Sequence, residues 1–360
     1  MISASARKLT PTRLVVALAA ALLVCACANP ANGQSDPVPP ANVVAMLARL
    51  RAASADDQPY ADAIALGQKL LVAKRYGEAY ELFTTFLDKW PRESAALYGA
   101  ALAAFNLGHP AEAEPLARAA AENLNKNANG NANGIGPGLN ERLRAADALV
   151  LLAVVQGARG ADTEALKTVQ QAAAIAPEHF DAQFTLGRAL FGVGDTAGAA
   201  QAFRAALKLR PDDARALFFL ASALESGGDT DAALAAYREL ARQQPQAAEG
   251  HLGLGVLLIK RGGADAEKGI EELRVAVRLD PKQYEAQVTL GRALLNQKLT
   301  DEAIAHLSRA AELAPGNPEP HYQLALAYRR LGQNEKAVAE TAIVKQIHES
   351  RRVEGAQNKQ

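Results

Sequence analysis

A 34-residue unit repeats eight times between Tyr60 and about Val344. A fixed period of that length commits a chain to stacking one small supersecondary unit on copies of itself. Each unit can be numbered so that its closing proline is position 32, which falls at Pro91, Pro177, Pro211, Pro245, Pro281 and Pro315. Unit starts are then Tyr60, Ser94, Ala146, Phe180, Ala214, Ala248, Tyr284 and Pro318. The second unit has Asn125 in place of its proline, and the eighth runs on into a helix.

Within each unit the pattern predicts two helices of about a dozen residues, A and B, joined by a turn such as Gly194-Asp195 or Gly228-Asp229. Helix A carries Leu at position 7 in seven units, among them Leu66, Leu186 and Leu290. Position 8 is always small: Gly67, Ala101, Ala153, Gly187, Ala221, Gly255, Gly291 and Ala325. Position 20 on helix B is small as well: Ala79, Ala113, Ala165, Ala199, Ala233, Gly269, Ala303 and Ala337. Two small residues at facing positions are expected to let the helices of a pair approach closely. The closing proline then stops helix B and aims the chain at the next helix A. An alanine-rich chain that scatters small residues at random does not explain this register.

The pattern resembles the tetratricopeptide repeat, most closely in "LGRALFGVGDTAGAAQAFRAALKLRP" (Leu186–Pro211) and "LGRALLNQKLTDEAIAHLSRAAELAP" (Leu290–Pro315). The Trp usual at position 4 is absent, with His251 and His321 among its replacements. The resemblance covers about three-quarters of the chain. It implies an all-α fold, a right-handed α-solenoid of about eight helix–turn–helix repeats, with residues 60–125 as repeats one and two and 146–345 as repeats three to eight. Such a scaffold serves many unrelated tasks, so the fold alone names no function.

Acidic and basic residues balance at 39 each, which argues against a nucleic-acid partner. Aromatics are only 5% of the chain, so the core is expected to be mostly Ala and Leu. The first residues carry a second signal: Arg7, Lys8 and Arg13 precede an apolar run, Leu14–Val24, too short to span a bilayer comfortably. Val24-Cys25-Ala26-Cys27 then resembles a bacterial lipoprotein signal with Cys27 as the lipidation site. Residues 1–26 are thus expected to be a removed signal peptide, and Ala28 after the cysteine implies sorting to the outer membrane. Ordinary cleavage after Ala28, giving a soluble periplasmic or secreted protein, is the competing expectation; a retained anchor is a third. Both cysteines lie in this segment, which leaves the body without disulfide or thiol chemistry.

Residues 27–40, rich in Pro and Asn, suit a flexible tether. Residues 41–59 begin with an amphipathic helix over Ala41–Ala53, whose Val43, Met46, Leu47 and Leu50 are expected to cover the first repeat; a membrane-surface helix is the alternative. Asn125–Asn140, "NKNANGNANGIGPGLN", reads as a non-helical surface loop, so residues 126–145 form a loop and lead-in separating repeats one and two from the rest. A shorter insertion lengthens the turn around Gly262–Ala266. Glu335–Arg352 reads as one long final helix, and residues 346–360 as its end and a polar tail. No third helix covers repeat eight. Either its polar face suffices, or the open end meets a partner or a second copy.

The histidines are scattered, with no His-Glu-x-x-His and no Walker-type or Gly-x-Ser-x-Gly motif. Gly253-Leu-Gly255 lies inside a predicted helix with no strand before it, so it is packing and not a nucleotide loop. No enzyme, catalytic residue, metal, cofactor or small-molecule substrate is expected.

A binding surface is. In the tetratricopeptide family, helix A positions 2, 5, 9, 12 and 13 line a concave groove. The resemblance assigns to it Tyr98, Phe105, Phe184, Arg188, Phe191, Phe218, Leu252, Ile259, Val288, Arg292, Tyr322 and Arg329. Position 5 is apolar in every repeat, which fits either a groove for an apolar helix or strand or a core position. The expected function is a periplasm-facing scaffold that binds envelope proteins and assists a machine of pilus or secretion type, touching the membrane only through its lipid. A regulatory adaptor of a peptidoglycan or exopolysaccharide enzyme is the alternative.

Overall fold

The computed structural model describes residues 39–54, 61–129 and 138–357. The signal segment, Cys27, most of the tether, Tyr60, residues 130–137 of the Asn/Gly-rich stretch and the last three residues of the tail lie outside them. Seventeen α-helices make up the described residues, with no strand among them. The chain divides into two compact units, Met1–Pro211 and Asp212–Gln360.

The first unit holds α1 (Pro40–Ala52), α2 (Ala61–Val72), α3 (Tyr76–Leu87), α4 (Ser94–Asn106), α5 (Pro110–Asn129), α6 (Leu139–Ala158), α7 (Asp162–Ile175), α8 (Phe180–Gly192) and α9 (Thr196–Leu209). Helices α2 to α9 are the A and B helices of repeats one to four. Pro39 precedes α1 and Pro40 opens it, where a missing N–H costs nothing. Val43, Leu47 and Leu50 of α1 are buried, and the helix packs against α3. Arg49 and Arg51 fasten it further, at 2.6 Å from Asp62 and 2.9 Å from Glu81. One continuous core runs from Val43 on α1 to Ala182 on α8.

The Asn/Gly-rich stretch departs from expectation. Asn125–Asn129 continue α5, and Leu139 and Asn140 already belong to α6, which Glu141 caps by accepting from Gly138 N at 3.2 Å. Both helices are 20 residues long, against 12 to 14 for the other repeat helices of this unit. They pack along each other, and that tertiary support overrides the poor helix propensity of Asn. Repeats two and three are therefore neighbours in one core and are not held apart.

The second unit holds α10 (Ala214–Ser226), α11 (Thr230–Gln243), α12 (Ala248–Arg261), α13 (Asp265–Leu279), α14 (Tyr284–Asn296), α15 (Thr300–Leu313), α16 (Pro318–Arg330) and α17 (Asn334–Gln357), the helix pairs of repeats five to eight. Its core includes Leu273, Leu290, Leu294 and Leu307, all completely buried. The last helix begins one residue earlier and runs five residues further than the sequence suggested.

One turn geometry joins A to B in every repeat but the sixth, whose longer turn sets Gly262 at φ 75° and ψ −162°. Position 15 takes positive φ in all eight repeats: Gly108, Gly160, Gly194, Gly228, Gly262 and Gly332, but Lys74 at 57° and Lys298 at 64°. Outside repeat six the residue after it donates back five positions, as Asp195 N does to Leu190 O at 2.9 Å, closing a Schellman-type cap. Asp195 and Asp229 then cap their B helices, accepting from Gly198 N at 2.8 Å and Ala232 N at 3.2 Å.

The small residues at position 8 do allow close approach, but position 20 is only part of what they face. Gly255 and Gly269 do meet: a Cβ on either would lie 2.9 Å from the other's carbonyl oxygen. At Gly67 and Gly187 the space is filled by a ring from position 24, Phe83 or Phe203. Phe83 is flanked on its other side by Gly99, position 6 of the next helix A. Position 24 is thus a wedge between a helix pair and its successor at Phe83, and again at Tyr237, whose ring lies against Gly253 of the next helix A.

Candidate protein-binding surface

Twelve residues were expected to line one surface, and the structure sorts them by burial. In the first unit Phe105 and Phe184 are buried and belong to the core. Phe184 stacks on Phe180 with ring centroids 5.8 Å apart and leans on Phe203 at the same distance. Tyr98, Arg188 and Phe191 remain half-buried, the Arg188 guanidinium 6.0 Å from the centre of the Phe184 ring.

In the second unit Val288 is buried, because the flanking helices close over it. Phe218, Leu252 and Ile259 are half-buried, Tyr322 is 57% exposed, and Arg292 and Arg329 are exposed. Arg292 on α14 reaches Glu319 on α16 at 3.3 Å, so position 9 of one helix A neighbours position 2 of the next. Glu249, Glu285 and Glu319 occupy position 2 of three consecutive A helices, while Lys260, Arg329 and Arg330 stand near the other helix ends. Acids at N-termini and bases at C-termini also complement the helix dipoles, so part of this pattern serves the helices themselves.

Sequence reasoning missed a row of polar latches in place of the absent Trp. Position 4 meets position 23 in three successive repeats. His251 Nδ1 lies 2.7 Å from Glu272, Gln287 Oε1 lies 2.8 Å from His306 Nδ1, and His321 Nδ1 lies 2.7 Å from Glu340. Burial holds the His306 imidazolium below its ordinary range, the Arg274 charge adding to this and the Glu302 charge opposing it. The recurring spacing of 19 to 21 residues between the partners was the available signal. Tyr237 at position 24 was also missed. Its hydroxyl lies 3.3 Å from both Ser222 Oγ and Glu225 Oε2, and burial pushes its pKa up to about 12.

Among the described residues no group of three or more His, Cys, Asp or Glu could hold a metal ion. No helix among them is long and apolar enough to cross a membrane.

A family model described as Tetratricopeptide repeat matches residues 64–130, 184–248, 226–267 and 263–318, over half of the chain, and a second of the same description matches 297–359. The chain is a tetratricopeptide repeat protein. Two solved structures, with TM-scores of 0.50 and 0.55, agree on the fold. The C-terminal part of a tetratricopeptide repeat-containing protein from Cytophaga hutchinsonii is 15% identical with a TM-score of 0.55, covering 72% of this chain and 99% of that one. The APC/C hetero-tetramer Cut9–Hcn1 is 15% identical with a TM-score of 0.50, covering 79% and 52%. MamA from Desulfovibrio magneticus RS-1 is 25% identical with a TM-score of 0.44, covering 48% and 96%. No curated protein matches. Tetratricopeptide arrays in general are protein-interaction scaffolds, and this tetratricopeptide protein offers the half-covered apolar side chains such a role uses.

Proposed function

We propose that this protein is a non-enzymatic scaffold that holds a segment of a partner protein against its A helices. The observation that carries the reading is in the second unit. Apolar side chains at position 5 stay partly open in Phe218, Leu252 and Tyr322, and in the helices of Leu252 and Tyr322 they lie between a position-2 glutamate and basic residues at the opposite end. A floor of this kind with charged rims suits an amphipathic helix or strand. The export signal supports a setting for it: a mature protein beginning at lipidated Cys27, tethered to the outer membrane and facing the periplasm. There it would bind envelope proteins during assembly of a machine of pilus or secretion type.

In-cell photo-crosslinking from position 218, with exposed Arg238 on α11 as control, tests the binding surface. One envelope protein captured from position 218 and not from 238 supports the reading. Equal labelling from both positions counts against it. Mass spectrometry of the mature N-terminus tests the location separately: a chain that starts anywhere but at an acylated Cys27 removes the lipid anchor.

A further inference from the structure

The last repeat ends the second unit with a face that the earlier repeats of that unit keep covered. At positions 21 and 24 of helix B, Leu234 and Tyr237 are buried in α11, and Ile270 and Leu273 in α13. In α15 Leu307 is buried and Ile304 half-buried. The following helix A does the covering, so closely that a Cβ on Gly253 of α12 would lie 2.3 Å from the Tyr237 ring. The same register in α17 holds Val338, which is 68% exposed, and Thr341. Position 5 of helix A borders this patch, as the Phe218 and Tyr237 rings show at 6.4 Å. In repeat eight it is Tyr322, 57% exposed, with half-buried Leu326 one turn on.

The rim of this patch is cationic. Lys345 is exposed at position 28, where repeat five has buried Ala241, and Arg329 is exposed at the far end of α16, while Arg330 beside it donates back to Leu295 O of α14. Most nearby acids are engaged: Glu340 with His321 at 2.7 Å, Glu319 with Arg292 at 3.3 Å and Glu349 with Arg352 at 3.4 Å. Exposed Glu335 stands one turn before Val338.

We propose that this end face docks an amphipathic helix of a partner protein, with apolar residues toward Tyr322, Leu326 and Val338 and acidic residues on its flanks. A helix is the shape that the same register accepts at every earlier step of the unit, and acidic flanks complement the rim. A second copy fits poorly. Two such faces would oppose like charges, Lys345 and Arg329 of one copy against those of the other. This site shares Tyr322 and Arg329 with the helix A surface proposed above and is set apart from it by Val338 and Lys345 on α17.

The test uses the full chain and a fluorescein-labelled 18-residue peptide, held helical by an i,i+4 side-chain link, with Leu on one face and Glu on the flanks. A second peptide carries Lys in place of each Glu. Fluorescence anisotropy should show saturable binding of the Glu peptide. Arg329→Glu with Lys345→Glu should weaken it at least tenfold and improve binding of the Lys peptide, and Val338→Glu should weaken both. Leu252→Ser, on the helix A surface, should leave the Kd of the Glu peptide unchanged. Thermal unfolding by circular dichroism confirms that each variant is folded. Absent binding, equal binding by the charge-reversed variant, or loss on Leu252→Ser alone would overturn the proposal. So would sedimentation showing a wild-type dimer that Val338→Glu dissolves, since the face would then belong to a second copy.

Discussion

The ring of Phe83 lies so close to Gly67 that a Cβ there would meet its Cζ at 2.3 Å. The ring cannot retreat, because Gly99 bounds it on the other side, where a Cβ would lie 2.4 Å from the same atom. Gly67→Ala should therefore overpack the joint and cost about 1–3 kcal/mol in denaturant unfolding. Adding Phe83→Leu should recover part of that loss, a coupling that a double-mutant cycle reads directly. Additive costs would mean that the two residues do not share this space.

The turn between helices A and B predicts a gain in stability. Lys298 takes, at φ 64°, the place in the turn that glycine takes in five repeats with the same cap. A side chain there costs about 1–2 kcal/mol. Glycine returns about 0.4–1 kcal/mol of this through the freedom of the unfolded chain. Lys298→Gly should thus stabilise by about 0.5–1 kcal/mol, and Lys298→Ala should give no such gain. A Tm that falls on Lys298→Gly would show that the lysine side chain contributes more than its backbone costs.

These two positions mark what was legible in the sequence. The Leu, small-residue and Pro register was enough for eight helix pairs, because it records packing that every repeat shares. Lys74 and Lys298 hide the shared turn, since lysine gives no sign of positive φ. Phe83 and Gly67 are 16 residues apart, and their fit appears only when ring and gap are read together. Position 5 resisted for a different reason. Its chemistry is apolar throughout, yet Val288 is covered, Phe218 and Leu252 are half-buried and Tyr322 is open, and that depends on what the neighbouring helices lay against each. Asn125–Asn129 were misjudged because local propensity was weighed without the partner helix.

His306 of the latch row and His179, the N-cap of α8, should respond to pH in opposite directions. Burial lowers the pKa of His306 below 6.5, so the unfolded chain binds more protons than the folded one. Its contribution is present above that value and is lost as pH falls. Burial works to lower His179 too, but the hydrogen bond and charge of Asp147, 2.9 Å away, outweigh it and raise the pKa. That contribution is present below 6.5 and is lost as pH rises through the folded value. His306→Gln should flatten the fall in Tm between about pH 7.5 and 5.5, and His179→Asn, which can keep the helix cap, should steepen it. Parallel curves for wild type and both variants would remove the histidines as the cause.

Burial also separates core from binding surface among the expected groove residues. Phe184 is 4% exposed and packed between two rings, so Phe184→Ser should cost about 3–5 kcal/mol. Leu252 is half-buried, and Leu252→Ser should cost about 1 kcal/mol, a fraction of what full burial of leucine is worth. Partner crosslinking from position 218 should then fall in Leu252→Ser while its unfolding curve stays near that of wild type. In Phe184→Ser any loss of crosslinking should track the loss of folded protein measured by circular dichroism. If Phe184→Ser keeps its stability and loses the partner, the ring belongs to the binding surface after all, and the first unit must open there when a partner arrives.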